Sequence, residues 1–185
     1  MLVVSTNEKF NTDTATMLPE SVFSPVVYAT DLSSAKRAKA QRHFDFILVN
    51  SPLKDGFGSD FAIDSSEAKN TVVLQLVRAE LYDEIYARNS SCGVFTLPKP
   101  ISKQSMINAL HWMITTKAKV ARLESKAVSI EDKMQEIRLV NKAKWLLIDK
   151  QNMAEPEAHR YIEKEAMDRC VPKRTVAEEI IKEYS

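Results

Sequence analysis

Up to about residue 100, short apolar runs alternate with stretches of helical spacing. The runs cover residues 2–4, 25–28, 44–49, 71–77 and 93–97. They are rich in β-branched and aromatic side chains with little polar alternation, as strands buried on both faces of a parallel sheet require. Between them lie helical patterns at residues 8–18, 33–43, roughly 59–69, and 79–89. The third is polar and reads as mostly loop. Ser33 opens the second as a candidate N-cap ahead of good helix formers. Five strands alternating with helices predict a doubly wound α/β domain.

From residue 102 the strand signal stops, and a helical pattern runs almost unbroken to about residue 150. Met113, Thr116, Val120, Leu123, Ala127, Ile130, Met134, Ile137 and Asn141 recur at alternating steps of three and four. That spacing predicts a coiled-coil seam, hence a homodimer, with Asn141 as a register-fixing polar residue. A helix folding back on its own domain is the other reading of the same stripe. Two shorter helices follow, at residues 155–169 and 175–184. Pro156 suits the first turn of one, and Thr175 with Glu178 suits a capping box for the other. Val140, Ala143 and Leu147 with Ala158, Ile162, Ala166, Val176, Ala177, Ile180 and Tyr184 predict a small three-helix core. A unit of that size is marginal alone.

Composition changes this picture little. Hydrophobic residues are 44% and charged residues 28% of the chain, an ordinary globular balance. No run of 18 apolar residues suggests a membrane span, and the first residues lack the form of a signal peptide, so the expected place is the cytoplasm. Cys92 and Cys170 are expected to be free thiols there. His43, His111 and His159 lie far apart, with no metal-ligand spacing and no nucleophile–base motif. No catalytic residue, metal or cofactor is expected, and an enzyme is the weakest function class. A net charge of +1 leaves any nucleic-acid contact to local clustering.

Two series of residues carry resemblances. Phe44-Asp-Phe-Ile-Leu-Val-Asn-Ser-Pro-Leu-Lys-Asp-Gly56 and Phe95-Thr-Leu-Pro-Lys-Pro100 resemble the third strand with its loop, and the fifth strand, of response-regulator receiver domains. The resemblance covers residues 1–113 and implies a flavodoxin-like five-stranded fold. It aligns the phosphoacceptor position with Asn50, the acidic pair with Ser5, Thr6 and Asn7, and the switch hydroxyl with Val77. Lys99 alone keeps its family identity. An amide cannot act as the carboxylate nucleophile, and the hard anionic Mg²⁺ ligands are gone. The resemblance therefore implies a receiver pocket without its phosphorylation chemistry. Asp45 and Asp55 flank it, at a strand start and in a loop, and neither substitutes. Lys99 either holds Asn50 and nearby carbonyls together or binds an anion or small ligand.

The second series is Ala143-Lys144, Ala158 with Tyr161, Ala166-Met167 and Val176-Ala177. In this order and spacing it resembles the ANTAR domain of bacterial antitermination regulators, over residues 130–185 with a coiled-coil linker at 114–129. Trp145 stands where that family often has a small residue, and Ala154 replaces a frequent capping hydroxyl. The resemblance implies a dimer that binds tandem stem-loops in mRNA leaders and stabilises an antiterminator hairpin. Phosphates and exposed bases need cations and flat groups. Candidates are Arg138, Lys142, Lys144, His159, Arg160, Lys164, Lys173 and Arg174. Residues 124–185 hold 12 Lys or Arg against 13 Asp or Glu, a net of −1, so local placement must decide. A protein-interaction or scaffolding regulator is the rival reading, with an unidentified partner or ligand as the switch. DNA reading by the third helix is disfavoured by Glu178, Glu179 and Glu183.

Overall fold

The computed structural model describes residues 1–184. In chain order the elements are β1 (Leu2–Val4), α1 (Glu8–Ala15), α2 (Glu20–Phe23), β2 (Val27–Ala29), α3 (Leu32–Gln41), β3 (Phe46–Asn50), α4 (Ser59–Ser66), β4 (Val72–Arg78), α5 (Tyr82–Ser90), β5 (Phe95–Lys99), α6 (Lys103–Gln151), α7 (Glu155–Asp168) and α8 (Lys173–Tyr184). The strands form one parallel sheet in the order β2-β1-β3-β4-β5. This is the doubly wound arrangement that the alternation predicts, with its order reversing between β1 and β3.

Side chains alternate across the sheet. Val3, Leu48, Leu74 and Leu76 pack against Phe23 and against Met106, Leu110 and Met113 of α6. Leu2, Val4, Ile47, Val49 and Val73 face Ala35 of α3 and Phe61 and Ala62 of α4. Each aliphatic side chain so buried contributes about 1.5–3 kcal/mol. Met113 is fully buried here. It belongs to the sheet core rather than to an exposed seam, because the early turns of α6 cover the sheet and heptad spacing does not say which partner a residue meets.

Local chemistry explains the other departures from expectation. The polar stretch after β3 is helical, because Phe61 and Ala62 bury one side while Asp60 and Asp64 face solvent. Gly58 caps that helix at φ 80, and a Cβ there would meet Val49 Cγ1 at 2.9 Å. The short α2 escapes the periodicity argument; its Phe23 ring meets Phe46 edge-on at 4.8 Å. Asp31, not Ser33, caps α3: the Ser34 N–H donates to Asp31 Oδ1 at 2.6 Å. Asp55, reaching from the β3–α4 loop, accepts the Leu32 N–H at 2.8 Å and the Ser33 N–H at 3.1 Å.

Gln75 places a polar side chain inside the sheet packing. Its Nε2 donates to Ser51 Oγ (2.8 Å), Ser59 Oγ (3.1 Å) and the Phe57 carbonyl (3.0 Å). Its carbonyl accepts from Asn89 Nδ2 at 2.8 Å, and that amide also reaches Thr96 Oγ1 at 2.9 Å. The network ties the β3–α4 loop to α5 and β5.

The chain divides into two compact units, Met1–Arg122 and the residues from Leu123 onward, and α6 contributes to both. In the second unit Ala143 and Leu147 of α6 meet Ala158, Ile162 and Ala166 of α7 and Val176, Ala177 and Ile180 of α8. Helix α7 begins without a side-chain acceptor at Ala154, but Glu157 accepts the Ala154 N–H at 3.0 Å. Helix α8 begins at Lys173, directly after Pro172, so Thr175 lies within its first turn instead of capping it. Among the described residues no helix is long and apolar enough to cross a membrane.

Candidate functional site

Two constellations stand out, one in each unit. In the sheet unit, Ser5, Asn50 and Lys99 follow or end β1, β3 and β5 on the same face, at the carboxyl edge of the sheet. Asn50 Nδ2 donates to Ser5 Oγ at 3.0 Å, and Lys99 Nζ donates to Asn50 Oδ1 at 2.9 Å and to the Ser51 carbonyl. The Asn7 N–H also donates to Ser5 Oγ, at 3.2 Å. Thr6 and Asn7 are exposed, and Asn7 caps α1 by accepting the Phe10 N–H at 3.0 Å. Val77 is buried and presents no hydroxyl. Burial, and then the positive charge of Arg78, hold the Lys99 pKa below the usual lysine value.

Neither flanking aspartate reaches this group. Asp55 is spent on the start of α3. Asp45 pairs with Lys117 Nζ at 2.7 Å, and the Lys117 hydrogen bond holds its carboxyl below the ordinary aspartate value. Arg78 was not singled out by sequence reasoning. Its signal was available: it follows Val77 directly, and strand parity puts it on the Lys99 face.

In the helical unit, Lys144 Nζ pairs with Glu155 at 3.1 Å and is largely covered. It ties α6 to the start of α7. His159 lies 3.3 Å from Glu163, which also pairs with Lys173. Arg174 pairs with Glu178 at 2.8 Å. Arg169 and Glu179 form a two-pronged pair at 2.6 and 2.8 Å, a contact between α7 and α8 that periodicity could not reveal. Arg138, Lys142, Arg160 and Lys164 are exposed and form no ion pair among the described residues. Three large side chains near them in sequence also face solvent: Trp145 (71% exposed), Tyr161 and Met167. Leu123, Ile130, Met134 and Ile137 leave an apolar stripe open along α6.

Residues 129–181 match the family model of the ANTAR domain. The C-terminal unit is an ANTAR domain. Over 184 residues the chain is 27% identical to the transcriptional regulatory protein PdtaR of Mycobacterium tuberculosis, covering 98% of this chain and 88% of that protein. Ahead of the ANTAR domain, the sheet unit has the receiver fold. It superposes on the signal receiver domain of an HD domain-containing protein from Pseudomonas fluorescens Pf-5 with TM-score 0.55 and 18% identity, over 65% of this chain and 90% of that one. The non-phosphorylated HemR receiver domain from Leptospira biflexa gives TM-score 0.53 and 23% identity, over 61% and 91%. A receiver fold followed by an ANTAR domain is the layout of an ANTAR response regulator, a transcription-regulator family.

Receiver folds imply a divalent metal beside the phosphoacceptor. The residues at that edge do not fit one. They offer a hydroxyl, an amide and an ammonium group, with no carboxylate to replace the water shell of a hard dication.

Proposed function

We propose that this chain is a transcription antiterminator that binds tandem stem-loops in nascent mRNA as a homodimer and stabilises the antiterminator hairpin. The observation that carries the reading is the ANTAR domain with four exposed cations, Arg138, Lys142, Arg160 and Lys164, that form no ion pair among the described residues. They are free to meet phosphates, while Trp145 and Tyr161 supply faces on which loop bases can stack. The remaining candidates, Lys144, His159, Lys173 and Arg174, have carboxylate partners within the domain. RNA would have to outcompete those carboxylates, so their contribution is the smaller.

The open stripe Leu123–Ala127–Ile130–Met134–Ile137 supports the dimer, since a second copy presents the same heptad surface. The seam then starts near Val120, after Met113 has turned to the sheet. Asn141 is exposed and in register to fix alignment. We further infer that the receiver pocket is not phosphorylated. Asn50 is not a nucleophile, and Lys99 already spends two hydrogen bonds on Asn50 and Ser51. Regulation then comes through another ligand, a partner or the amount of protein. The near-neutral balance of the helical unit favours one second reading, a protein-interaction scaffold.

Binding of purified protein to tandem-hairpin leader RNA, at 50 and 200 mM salt, separates the two. Four phosphate contacts predict a loss of about two orders of magnitude in affinity across that range. The Arg160→Ala, Lys164→Ala double variant is expected to weaken binding and flatten the salt slope. A folded protein that retains no tandem-hairpin RNA at either salt refutes the antiterminator reading in favour of the scaffold.

A further inference from the structure

Helix α5, the last strand β5 and the first turns of α6 line a cavity of about 510 Å³, within the size range of small-molecule sites. Leu74, Leu97 and Ala109 supply apolar walls. Tyr82 and Tyr86 of α5 stack on each other at 5.4 Å, and Trp112 lines the cavity from α6. Tyr86 and Trp112 are 48% and 54% exposed, so two large aromatic surfaces stand open at a concave site. Among the described residues no Asp, Glu, Lys, Arg or His lines it. A charged ligand would lose water there and find no counter-charge, which selects an uncharged one.

The strand adds direction to this apolar surface. β5 ends the sheet, and its outer side has no neighbouring strand. Pro98 has no N–H to give to β4, which puts its ring nitrogen on the open side. Backbone groups alternate along a strand, so Thr96, two residues earlier, turns its N–H and C=O to that side as well. Residues 93–97 line the cavity, which therefore follows the open edge. The Thr96 side chain is 5% exposed and accepts the Asn89 amide at 2.9 Å, which holds the residue in place. One backbone donor beside one acceptor suits a flat molecule with an acceptor and a donor on one edge. An added peptide strand finds little more. The Val94 N–H already bonds the Asn89 carbonyl at 3.1 Å, and the next outward residue after Thr96 is the proline.

We propose that this cavity binds an uncharged, flat heteroaromatic molecule of the lactam type. Its ring lies against Tyr82, Tyr86 and Trp112, and its N–H and C=O edge meets the Thr96 backbone. The inference goes beyond the RNA reading and stands or falls separately from it.

The test is titration of ¹⁵N-labelled full-length protein with quinolinone, a fused lactam, and with N-methylquinolinone, which lacks the donor. The expected result is saturable movement of the Thr96 backbone amide and the Trp112 indole N–H, at about millimolar affinity for so small a probe. N-methylquinolinone is expected to bind about tenfold more weakly, and so is a quinolinone carboxylate. Tyr86→Ser weakens quinolinone binding about tenfold. Phe57→Ser, at an exposed phenylalanine that does not line the cavity, leaves it unchanged. The proposal is overturned if quinolinone moves neither signal at several millimolar, or if N-methylquinolinone binds as tightly. It is overturned equally if Phe57→Ser abolishes binding and Tyr86→Ser does not. If Tyr86→Ser weakens self-association in sedimentation equilibrium and leaves quinolinone binding unchanged, a second copy covers the cavity and the proposal falls.

Discussion

Replacing Ile130 and Ile137 together by Gln strikes the stripe on α6 where it is most apolar. The two side chains are 60% and 59% exposed in the single chain. Fully burying an isoleucine is worth about 1.5–3 kcal/mol, so closing the remaining surface in a seam is worth about 1–2 kcal/mol per side chain. Two positions on two protomers amount to about 4–8 kcal/mol, or roughly a 10³- to 10⁶-fold rise in the dimer dissociation constant. The monomer itself loses little, about 0.5 kcal/mol or less at each exposed site. Sedimentation equilibrium of wild type and variant, with circular dichroism to show that both are folded, reads the difference. The reasoning is refuted if the variant dimerises as tightly as the wild type. A wild type that is monomeric at high micromolar concentration refutes it equally, and leaves the stripe without a second copy.

Two further outcomes follow from the packing and the ion pairs. Leu147 is 1% exposed at the centre of the three-helix core, so Leu147→Ala is expected to cost about 2–5 kcal/mol. In so small a unit that lowers the thermal transition of the ANTAR domain sharply, and a change matching that of Leu123→Ala contradicts the core assignment. The Asp45 carboxyl, held low chiefly by Lys117, contributes stability that is fully present above the unfolded-state pKa of about 3.9 and fades as pH falls through its lower folded value. The urea midpoints of wild type and Asp45→Asn are therefore expected to differ at neutral pH and converge in acid; a gap independent of pH contradicts the pairing.

Much of this architecture is legible in the chain because it rests on local rules. A buried strand needs consecutive apolar residues on both faces, and the five runs declare themselves. A helix needs 3.6-residue spacing, and α6, α7 and α8 show it within a residue or two at most of their ends. The ANTAR pattern is legible for the same reason, since its small and apolar residues set the contacts of the three-helix core. Asn50 and Lys99 were also open to reading, as each closes a strand whose direction is set by its neighbours.

What the chain could not state are contacts between elements distant in sequence. Met113 and Ile130 lie on one heptad-spaced stripe, yet one is buried by the sheet and the other is open, because a helix that serves two units meets different partners along its length. Lys144 and Lys164 are both lysines on helices of the same domain. Only tertiary placement gives the first a carboxylate at Glu155 and leaves the second without one among the described residues. Asp55 reads in the chain only as a loop residue flanking the receiver pocket; the fold is what brings it to the N-terminus of α3, where it accepts the Leu32 and Ser33 N–H groups. Arg78 gained meaning only when strand register set it beside Lys99. Periodicity records which side of an element is apolar; which partner each side chain meets depends on long-range closure, and that is decided by the folded chain.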